Sequence, residues 1–450
     1  MELIKSVSGI RGIYNKSLHL NDISKYGYAF SEVQKQSSLP ILVARDSRQS
    51  GLKITTHLID ALLNIGRDVI DCDIIPTPTA QLIVDKFEIA GAIIITASHN
   101  PQEWNGMKFI DDNGTFLDKI KNEELFNLAD NRDFNIKNVD IKGKKTNYLD
   151  AIDFHIKNIF DIDFIDIKKI QKKQFKIVLD TINGASCYGF KKLLEELNCE
   201  VIHINDIPNG IFLRNPEPKT ENLSEISPIV LENSADLAFV TDPDGDRLAV
   251  LDNKGEIIIE ENTLVICADE VLSRIKTQKP VVTNLSTTSA LDDIALKYNN
   301  KVIRTAVGEI NVVKEMMATN ATIGGEGNGG VILPQSHYGR DAFVGAIIIL
   351  NHLAENNITL NDVSKKLPKY FMLKEKIDLA QQVDLKKIIS IVKKNYTDCT
   401  FDERDGVKVI SNDYWIHIRK SNTEPILRIY IESKNKALTH KLFSNLKYLF

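Results

Sequence analysis

Three alternating aspartates follow an apolar stretch near the middle of the chain. Asp242, Asp244 and Asp246 stand in the segment Thr-Asp-Pro-Asp-Gly-Asp-Arg. Because they alternate, an extended or tightly turned chain can direct their oxygens at one point, and hard divalent cations prefer such ligands. An EF-hand does not fit, since loop position twelve is Asn253 rather than glutamate. The alternative is an acidic surface turn, because Asp-Pro and Asp-Gly pairs form turns.

A serine with polar neighbours follows a second apolar stretch. Ser98 stands in Thr-Ala-Ser-His-Asn-Pro, directly after a run of isoleucines. A serine hydroxyl is a weak nucleophile that needs activation or a phosphoryl group already attached to it. The GxSxG pattern of a nucleophile elbow is absent. The ordinary alternative is a serine that caps a helix or a turn.

Two further segments carry groups suited to sugars and phosphates. Glu326 lies in Gly-Glu-Gly-Asn-Gly-Gly, where small residues allow close approach to hydroxyl groups, although a simple Gly-rich turn is the alternative. It fits neither the P-loop nor the dinucleotide pattern.

Near the C-terminus a second segment combines cations, hydroxyls and amides. These groups suit a phosphate dianion; the alternative is a solvated hairpin tip. Its residues are Arg419, Lys420, Ser421, Asn422, Thr423 and Arg428.

The elements that must position these loops recur three times along the chain. Each copy is an apolar strand, a polar loop, a helix and a returning strand, and it is followed by a short strand that runs into one of the loops above. The copies cover residues 40–77, 175–208 and 280–309. Strands that alternate with helices predict mixed α/β sheets, whose functional groups gather at strand ends. We therefore expect the three loops to converge on one cleft.

The last 80 or so residues differ from the three copies. Lys365 to Lys369 is typical of a linker, and the segment after it predicts two strands around the cationic loop and a helix from about Lys436. Length alone also exceeds what one core supports. We predict four domains, at residues 1–150, 151–254, 255–367 and 368–450.

Composition excludes several classes of partner. The 450 residues carry a net charge of −5, which gives no electrostatic basis for binding nucleic acid or an anionic membrane. The five cysteines are scattered without CxxC pairs, so a disulfide framework or a zinc site is not expected. No signal peptide pattern or bilayer-length apolar run is visible. We expect a cytoplasmic protein, as a monomer or homodimer.

Together the four loops resemble those of the α-D-phosphohexomutase superfamily, and the likeness covers nearly the whole chain. TASHNP resembles its phosphoserine loop, DPDGDR its metal loop, GEGNGG its sugar loop and RKSNTEPILR its phosphate loop. Their order and spacing also match. The resemblance implies a heart-shaped protein with a central cleft, formed by three similar α/β domains with mixed sheets and a smaller α+β C-terminal domain.

The same resemblance implies roles for individual residues. Ser98 would carry a resting phosphate, and Mg²⁺ would be held by it together with the three aspartates. The implied catalytic set is Ser98, His99, Lys108, Arg11 and Arg247, with the lysine assisting proton transfer. The implied sugar contacts are Glu326, Asn328 and Gly308. The implied contacts to the non-reacting phosphate are Arg419, Ser421, Asn422, Thr423 and Arg428.

One departure from the family pattern concerns the sugar loop. Many relatives have serine and histidine where Asn328 and Gly330 stand. His337 and Arg340 are the predicted substitutes for that histidine, as a proton-transfer group or phosphate contact. The GEGNGG and SNTEP forms resemble the phosphoglucosamine and phosphomannose branch.

The resemblance implies interconversion of hexose 6-phosphate and 1-phosphate through phosphoserine and a bisphosphorylated sugar. Glucosamine phosphate is the favoured substrate, which would place the enzyme in amino-sugar nucleotide and cell-wall precursor synthesis. A phosphomannomutase/phosphoglucomutase is the alternative. A metal-dependent sugar phosphatase using Asp242, or a silent sugar-phosphate sensor, are the remaining hypotheses.

Overall fold

Four β-sheets follow one another along the chain, each with its own helices. The computed structural model describes residues 2–36, 38–134, 142–378, 385–420 and 426–447. We call the four units domains I to IV and define each by its sheet and helices.

Domain I contains a seven-stranded sheet in the order β1-β2-β6-β5-β3-β4-β7. The first four strands of that order pair antiparallel, and the others pair parallel. Helix α2 buries Ile54, Leu58 and Leu62, the stripe that spacing of three to four residues predicts. The elements are β1 Ile4–Ser6, β2 Gly9–Ile13, α1 Leu20–Val33, β3 Ile41–Arg45, α2 Gly51–Asn64, β4 Val69–Ile74, α3 Thr77–Lys86, β5 Gly91–Ile95, β6 Trp104–Ile110, α4 Lys119–Asn131 and β7 Lys145–Asn147.

Domain II contains a five-stranded mixed sheet in the order β12-β11-β10-β8-β9. Its central strand β10 is buried at every position, which explains its unbroken apolar sequence. The elements are α5 Ala151–Phe160, α6 Ile167–Lys173, β8 Lys176–Asp180, α7 Cys187–Glu196, β9 Glu200–Ile204, a short 3₁₀ turn Thr220–Asn222, α8 Ile226–Glu232, β10 Leu237–Thr241, β11 Leu248–Asp252 and β12 Ile257–Ile258.

Domain III contains a four-stranded mixed sheet in the order β14-β13-β15-β16. Helix α12 is almost wholly buried, and it belongs to one apolar core that continues from domain II into domain III. The elements are α9 Glu261–Arg274, β13 Val281–Asn284, α10 Ala290–Lys297, β14 Val302–Thr305, α11 Glu309–Thr319, β15 Ile323–Glu326, β16 Gly330–Ile332, α12 Ala342–Asn356 and α13 Leu360–Lys366.

Domain IV contains a five-stranded sheet that is antiparallel throughout, with a separate apolar core. The predicted linker is shorter than expected, because Lys365 and Lys366 still belong to α13. The elements are β17 Phe371–Asp378, α14 Leu385–Asn395, β18 Thr400–Asp402, β19 Val407–Ile410, β20 Tyr414–Lys420, β21 Ile426–Ser433 and α15 Lys436–Lys447.

The first three sheets share one four-strand arrangement. In each, a central strand pairs parallel with a strand on either side, and the last strand returns antiparallel. The corresponding orders are β4-β3-β5-β6, β9-β8-β10-β11 and β14-β13-β15-β16. The loops with Ser98, the aspartates and the Gly-rich segment all connect the third strand to the fourth. This confirms the predicted fold class, with three similar α/β domains and a smaller C-terminal domain.

No helix among the described residues is by itself long and apolar enough to cross a bilayer. Helices α12 and α13 reach that length and hydropathy only as a pair, with a 92° bend between them.

Candidate active site

The serine loop after β5 is held by buried polar contacts. Ser98 is 2% exposed and has a φ of 49°, an unusual left-handed conformation for a serine. Its N–H donates to Thr96 Oγ1 at 2.9 Å, and that hydroxyl donates to Asp46 Oδ2 at 2.6 Å. Arg48 donates to the carbonyl oxygen of Ser98 at 2.6 Å. These contacts fix the position of the serine side chain.

The Ser98 hydroxyl faces the aspartate loop of domain II. Its Oγ lies 3.2 Å from Asp242 Oδ2 and 3.3 Å from His99 Nδ1. Burial, together with the nearby Arg247 and Arg11, holds the pKa of His99 well below its ordinary value. His99 is therefore a neutral imidazole at neutral pH.

The three aspartates are buried and close together. One oxygen from each of Asp242, Asp244 and Asp246 lies within 4.8 Å of the others. The turn is closed by Asp242 Oδ1, which accepts from the N–H groups of Asp246 and Arg247, both at 3.2 Å. Burial and the two neighbouring carboxylates raise the pKa of Asp242 well above its usual range.

These aspartates fit a divalent cation. Asp244 Oδ1 and Asp246 Oδ1 are buried and accept no hydrogen bond from the described residues, although a buried acceptor normally has a partner. Three buried carboxylates also repel one another unless a cation lies among them. Oxygen ligands of this kind suit Mg²⁺ or a similar hard ion.

Lys108 contacts the same loop from strand β6. Its Nζ lies 2.6 Å from Asp244 Oδ2 and 3.1 Å from Asp246 Oδ2. Burial opposes the charged form, but the two carboxylates outweigh it and raise the pKa of Lys108. The ammonium group therefore leaves the other oxygen of each aspartate available to a metal.

Two arginines line the cleft beside Ser98. Arg11 donates to Asn100 Oδ1 at 2.9 Å, and burial lowers its pKa to about 10. Arg247 donates to Glu217 Oε1 at 3.2 Å. The Nε atoms of both arginines are buried without a hydrogen-bond partner among the described residues. Such donors suit an anionic oxygen.

The structure places Glu326 at the end of a strand rather than on the flexible loop that its glycine neighbours suggest. Gly324, Gly325 and Glu326 belong to β15. Its Oε1 accepts from Asn284 Nδ2 at 2.9 Å and from the Gly308 N–H at 3.2 Å. The carboxylate is thus held firmly at the cleft wall, where Gly308 and Asn328 also lie.

The two predicted substitutes for the family histidine lie in different places. His337 is turned away from the cleft, because its Nε2 bonds Asp341 Oδ2 at 3.0 Å beneath helix α12. It is not among the residues that line the cleft in the described part of the chain. Arg340 does line it, and donates to Asp246 at 2.6 Å and Glu326 at 2.9 Å. Only Arg340 is available to a ligand.

Domain IV contributes a row of three cations to the cleft. Arg419 and Arg428 are directly opposite each other on β20 and β21, and Lys376 is opposite Arg428 on β17. Directly opposite residues share one face of a sheet. All three line the cleft. The predicted phosphate contacts Ser421, Asn422 and Thr423 lie outside the described residues.

Predicted site residues from all four domains, among them Ser98, Arg247, Glu326 and Arg419, therefore border one cleft of about 530 Å³. The buried aspartates contact two of its lining residues, Ser98 and Lys108. Several charged residues of the cleft wall carry no signal in the sequence that predicts their position, except that two of them, Glu217 and Lys219, lie in a Pro-containing loop. They are Glu217, Lys219, Glu260, Glu261, Glu309, Lys374 and Lys376.

Comparison with known proteins agrees with this architecture. Profiles of the phosphoglucomutase/phosphomannomutase family match its α/β/α domains I, II and III at residues 3–136, 146–255 and 260–371, and its C-terminal domain at residues 371–447.

Individual relatives match over nearly their whole length. A phosphoglucomutase/phosphomannomutase from Thermococcus kodakarensis is 37% identical over 95% of this chain and 94% of its own. A phosphoglucosamine/phosphogalactosamine mutase from Sulfurisphaera tokodaii is 30% identical over 98% and 97%.

A crystal structure of a phosphoglucomutase/phosphomannomutase family protein from Burkholderia thailandensis superposes with a TM-score of 0.86. It is 25% identical and covers 99% of this chain and 96% of its own. The chain therefore belongs to the phosphoglucomutase/phosphomannomutase family, and it is an enzyme of the phosphohexomutase type.

Proposed function

We propose that this phosphohexomutase transfers a phosphoryl group through Ser98 and acts on a hexosamine phosphate, glucosamine 6-phosphate being converted to glucosamine 1-phosphate. One observation carries the proposal. The Ser98 hydroxyl lies 3.2 Å from a buried aspartate of a three-carboxylate cluster, inside a cleft whose opposite wall is a row of cations.

The proposed reaction is a pair of reversible phosphoryl transfers. In the first, a sugar hydroxyl attacks the phosphorus on Ser98, a new sugar O–P bond forms, the Ser98 Oγ–P bond breaks, and the hydroxyl proton passes to a nearby base. The departing Ser98 oxygen takes up a proton. In the second transfer Ser98 Oγ loses that proton to a base and attacks the phosphorus at the other end of the bisphosphorylated sugar. A new Oγ–P bond forms, the sugar O–P bond at that end breaks, and the departing sugar oxygen takes up a proton. Phosphoryl transfer depends mostly on positioning and on stabilisation of charge.

The chain's own residues supply much of that positioning. Asp242, Asp244 and Asp246 would hold Mg²⁺, which when bound acts as a Lewis acid towards phosphoryl oxygens. Lys108 holds two of these carboxylates in place. Arg11 and Arg247 line the cleft beside Ser98 and offer positive charge to the transferring group, and the neutral His99 lies with its Nδ1 3.3 Å from Ser98 Oγ.

The opposite side of the cleft suits the rest of the substrate. Glu326 accepts sugar hydroxyl hydrogen bonds, with Asn328 and the Gly308 backbone beside it. The Arg419–Arg428–Lys376 row holds the non-reacting phosphate, because arginine forks match phosphate oxygens. The predicted phosphate contacts Ser421, Asn422 and Thr423 lie outside the described residues and stay predictions.

The names of the relatives support a hexosamine as substrate. Proteins 28–31% identical from several other organisms are named as probable phosphoglucosamine mutases. The 37% identical relative is named phosphoglucomutase/phosphomannomutase, which makes glucose and mannose phosphates the second candidates. Comparison of kcat/KM for glucosamine, mannose and glucose 6-phosphates distinguishes them, and the hexosamine is expected to lead.

The central experiment replaces the phosphoryl carrier. Ser98→Ala is expected to lower kcat by at least about 10³-fold, because no other hydroxyl can accept the phosphoryl group at that position. Intact-mass analysis should detect one added phosphoryl group on part of the wild-type protein and none on the variant. Ser47→Ala is the matched control, because this buried hydroxyl has no hydrogen-bond partner among the described residues and does not line the cleft.

The outcomes separate the alternatives. Near-normal isomerisation by Ser98→Ala would disprove the carrier role. Release of inorganic phosphate by the wild type without any transfer between the 6 and 1 positions would instead indicate a metal-dependent phosphatase.

A further inference from the structure

Arg340 connects three carboxylates from three parts of the cleft. Its Nη2 donates to Asp246 at 2.6 Å, its Nη1 to Glu326 at 2.9 Å and its Nε to Glu309 at 2.8 Å. All three partners are buried, and Arg340 as a whole residue is 7% exposed. Asp246 belongs to the aspartate loop of domain II, whereas Glu326 ends strand β15 and Glu309 begins helix α11 of domain III.

The planar guanidinium is the chemical group this geometry requires. It presents five N–H groups in a fixed fork, so that separate carboxylates can be bound along different edges at once. A lysine at the same place offers a single point charge on a flexible chain. Three buried carboxylates without such a partner would repel each other or bind protons.

Gly330 is what leaves room for this side chain. It stands opposite Glu326 in the β15–β16 pairing. A Cβ added at position 330 would overlap Cδ of Arg340 and lie 2.9 Å from its Cγ. The stem cannot move aside freely, because the guanidinium beyond it is bound to three carboxylates. The size of residue 330 therefore controls the position of Arg340.

Each contact of Arg340 orients a group that the proposed function uses. Glu326 has its Oε2 held by Arg340 at 2.9 Å and by the Asn328 amide at 3.3 Å. Its Oε1 is held by Asn284 and Gly308, so the orientation of the carboxylate is fixed. Asp246 has its Oδ2 occupied by Arg340 and Lys108, which leaves Oδ1 for a metal. Groups that orient a ligand in this way contribute strongly to affinity and activity.

We propose that Arg340 is a positioning residue that joins the aspartate loop to the sugar-binding carboxylate Glu326, and that glycine at position 330 is required for it. The proposal rests on the proposed function, because it assigns Glu326 to the sugar. Through Arg340, the aspartate loop and the Glu326 carboxylate would be held in one fixed arrangement.

The test is a double-mutant cycle of Gly330→Ala and Arg340→Ala. The first readout is the affinity for glucosamine 6-phosphate in metal-free buffer, measured by calorimetry on protein treated with phosphatase. Each single variant is expected to bind about tenfold more weakly, because Glu326 loses its orientation. The double variant is expected to bind no more weakly than Arg340→Ala, since alanine at position 330 then meets no guanidinium stem.

Activity gives a second, independent readout. Arg340→Ala should raise KM and lower kcat together, because it touches both the sugar side and the aspartate loop. Added guanidinium chloride at millimolar concentration should restore part of kcat in Arg340→Ala and none in Gly330→Ala, where the side chain still fills the site. Arg340→Lys should recover less than free guanidinium does.

Gly51→Ala is the matched glycine control, because the nearest atom to an added Cβ is 3.5 Å away, an ordinary contact. If Arg340→Ala unfolds, Arg340→Met retains the stem that packs on Gly330 and removes only the guanidinium. Multiplying effects in the double variant, or wild-type sugar affinity in Arg340→Met, would overturn the proposal. Wild-type protein that binds the sugar phosphate but fails to isomerise it would overturn the proposed function instead.

Discussion

Arg48 directs four of its five guanidinium N–H groups at main-chain carbonyl oxygens of the serine loop. Its Nη1 donates to the carbonyl oxygens of Pro101 and Trp104, and its Nη2 to those of Ser98 and Asn100, at 2.5–2.9 Å. Its Nε donates to Asp46 at 3.0 Å, so every N–H of the group is used. The side chain is 1% exposed. Arg48 therefore shapes the loop from beneath rather than binding a ligand.

Replacing Arg48 should affect both activity and stability. Arg48→Ala leaves four carbonyl groups and Asp46 without this partner, and we expect a loss of about 3 kcal/mol in stability and at least about 10²-fold in kcat. Arg45→Ala, from the same strand end, removes the Arg45–Asp73 ion pair, whose aspartate is 61% exposed, and one long hydrogen bond of 3.4 Å to the Asp46 carbonyl oxygen. It should cost less than about 1 kcal/mol. Thermal unfolding and steady-state kinetics of both variants measure the difference; equal effects would contradict this account.

Sequence reasoning at the residue scale identified groups with a chemical signature. The alternating aspartates and the serine after an apolar strand are recognisable because their types and spacing alone suggest chemistry. Arg48 has no such signature, since the carbonyl groups that it binds lie 50 to 56 residues away in the chain. Lys376 was missed because its alignment with Arg428 depends on strand register.

The first turn of helix α12, in domain III, is linked by hydrogen bonds to His155 of domain II and through it to Thr79 of domain I. Asp341 caps the helix through Oδ1, which accepts from the Phe343 and Val344 N–H groups. Its Oδ2 accepts from His155 Nε2 at 2.7 Å and from His337. His155 in turn accepts from Thr79 of domain I at its Nδ1. Burial opposes the charged carboxylate, but the two histidines outweigh it and hold the pKa of Asp341 far below its usual range.

Two helix caps in domain III should therefore differ greatly in their contribution to stability. Asp341→Ala removes the cap and leaves two buried imidazole N–H groups unpaired, at a cost of about 4 kcal/mol. Thr359→Ala removes the more exposed cap of α13 and should cost about 1 kcal/mol. Differential scanning calorimetry is expected to register the larger fall in melting temperature for Asp341→Ala. Similar falls for both variants would mean that the histidine contacts contribute little.

At the element scale, periodicity predicted the repeated strands and helices well and the Gly-rich segment poorly. The α2 stripe and the strands on either side of it are visible in spacing alone. Gly324, Gly325 and Glu326 have no strand propensity, yet they pair with β13 and β16. Their neighbours in the sheet supply the hydrogen bonds, and tertiary context overrides local preference in such cases.

Domain IV meets domain III mainly through polar contacts. His417 Nδ1 lies 2.8 Å from Ser286 Oγ, and Asp405 accepts from the Val307 N–H, next to Gly308. Lys408 donates to the Leu285 carbonyl group. His417 Nε2 lies 2.7 Å from the Asp405 carbonyl oxygen. Since that oxygen can only accept, Nε2 carries the proton, and in the neutral imidazole Nδ1 accepts from the serine hydroxyl.

This interface should weaken in mild acid. Burial lowers the pKa of His417 to about 4, below the ordinary 6.5, with Asp405 opposing and Lys408 and Arg419 adding to the shift. The proton therefore binds more readily once the residue is exposed, and the stabilisation is complete above about pH 6.5 and lost as the pH falls towards about 4.

Hydrogen exchange of β19 and β20 between about pH 7 and about pH 4.5, corrected for the intrinsic exchange rate, measures this loss. His417→Gln should remove most of the difference, because an amide keeps both hydrogen bonds without titrating. His440→Gln, at an exposed position on α15, is the control. An unchanged pH dependence in His417→Gln would contradict the assignment.

The order of the domains is predictable from sequence, but their mutual contacts are not. Three repeats and a different C-terminal segment indicate four units. His417 and Ser286 are 131 residues apart, and neither has a local signal that predicts the contact. Polar interdomain pairs of this kind depend on the position of whole sheets, which periodicity does not report.

The fixed serine loop has a kinetic consequence for the proposed reaction. Because Arg48 immobilises the phosphoryl carrier, each end of the sugar must travel to the same oxygen atom, and after the first transfer the ligand has to rotate before the second. Rotation then competes with escape of the bisphosphorylated sugar. Each escape leaves Ser98 without its phosphoryl group, so that molecule is idle until a bisphosphate returns. The number of turnovers between such interruptions depends on how long the cleft between domains III and IV retains the ligand.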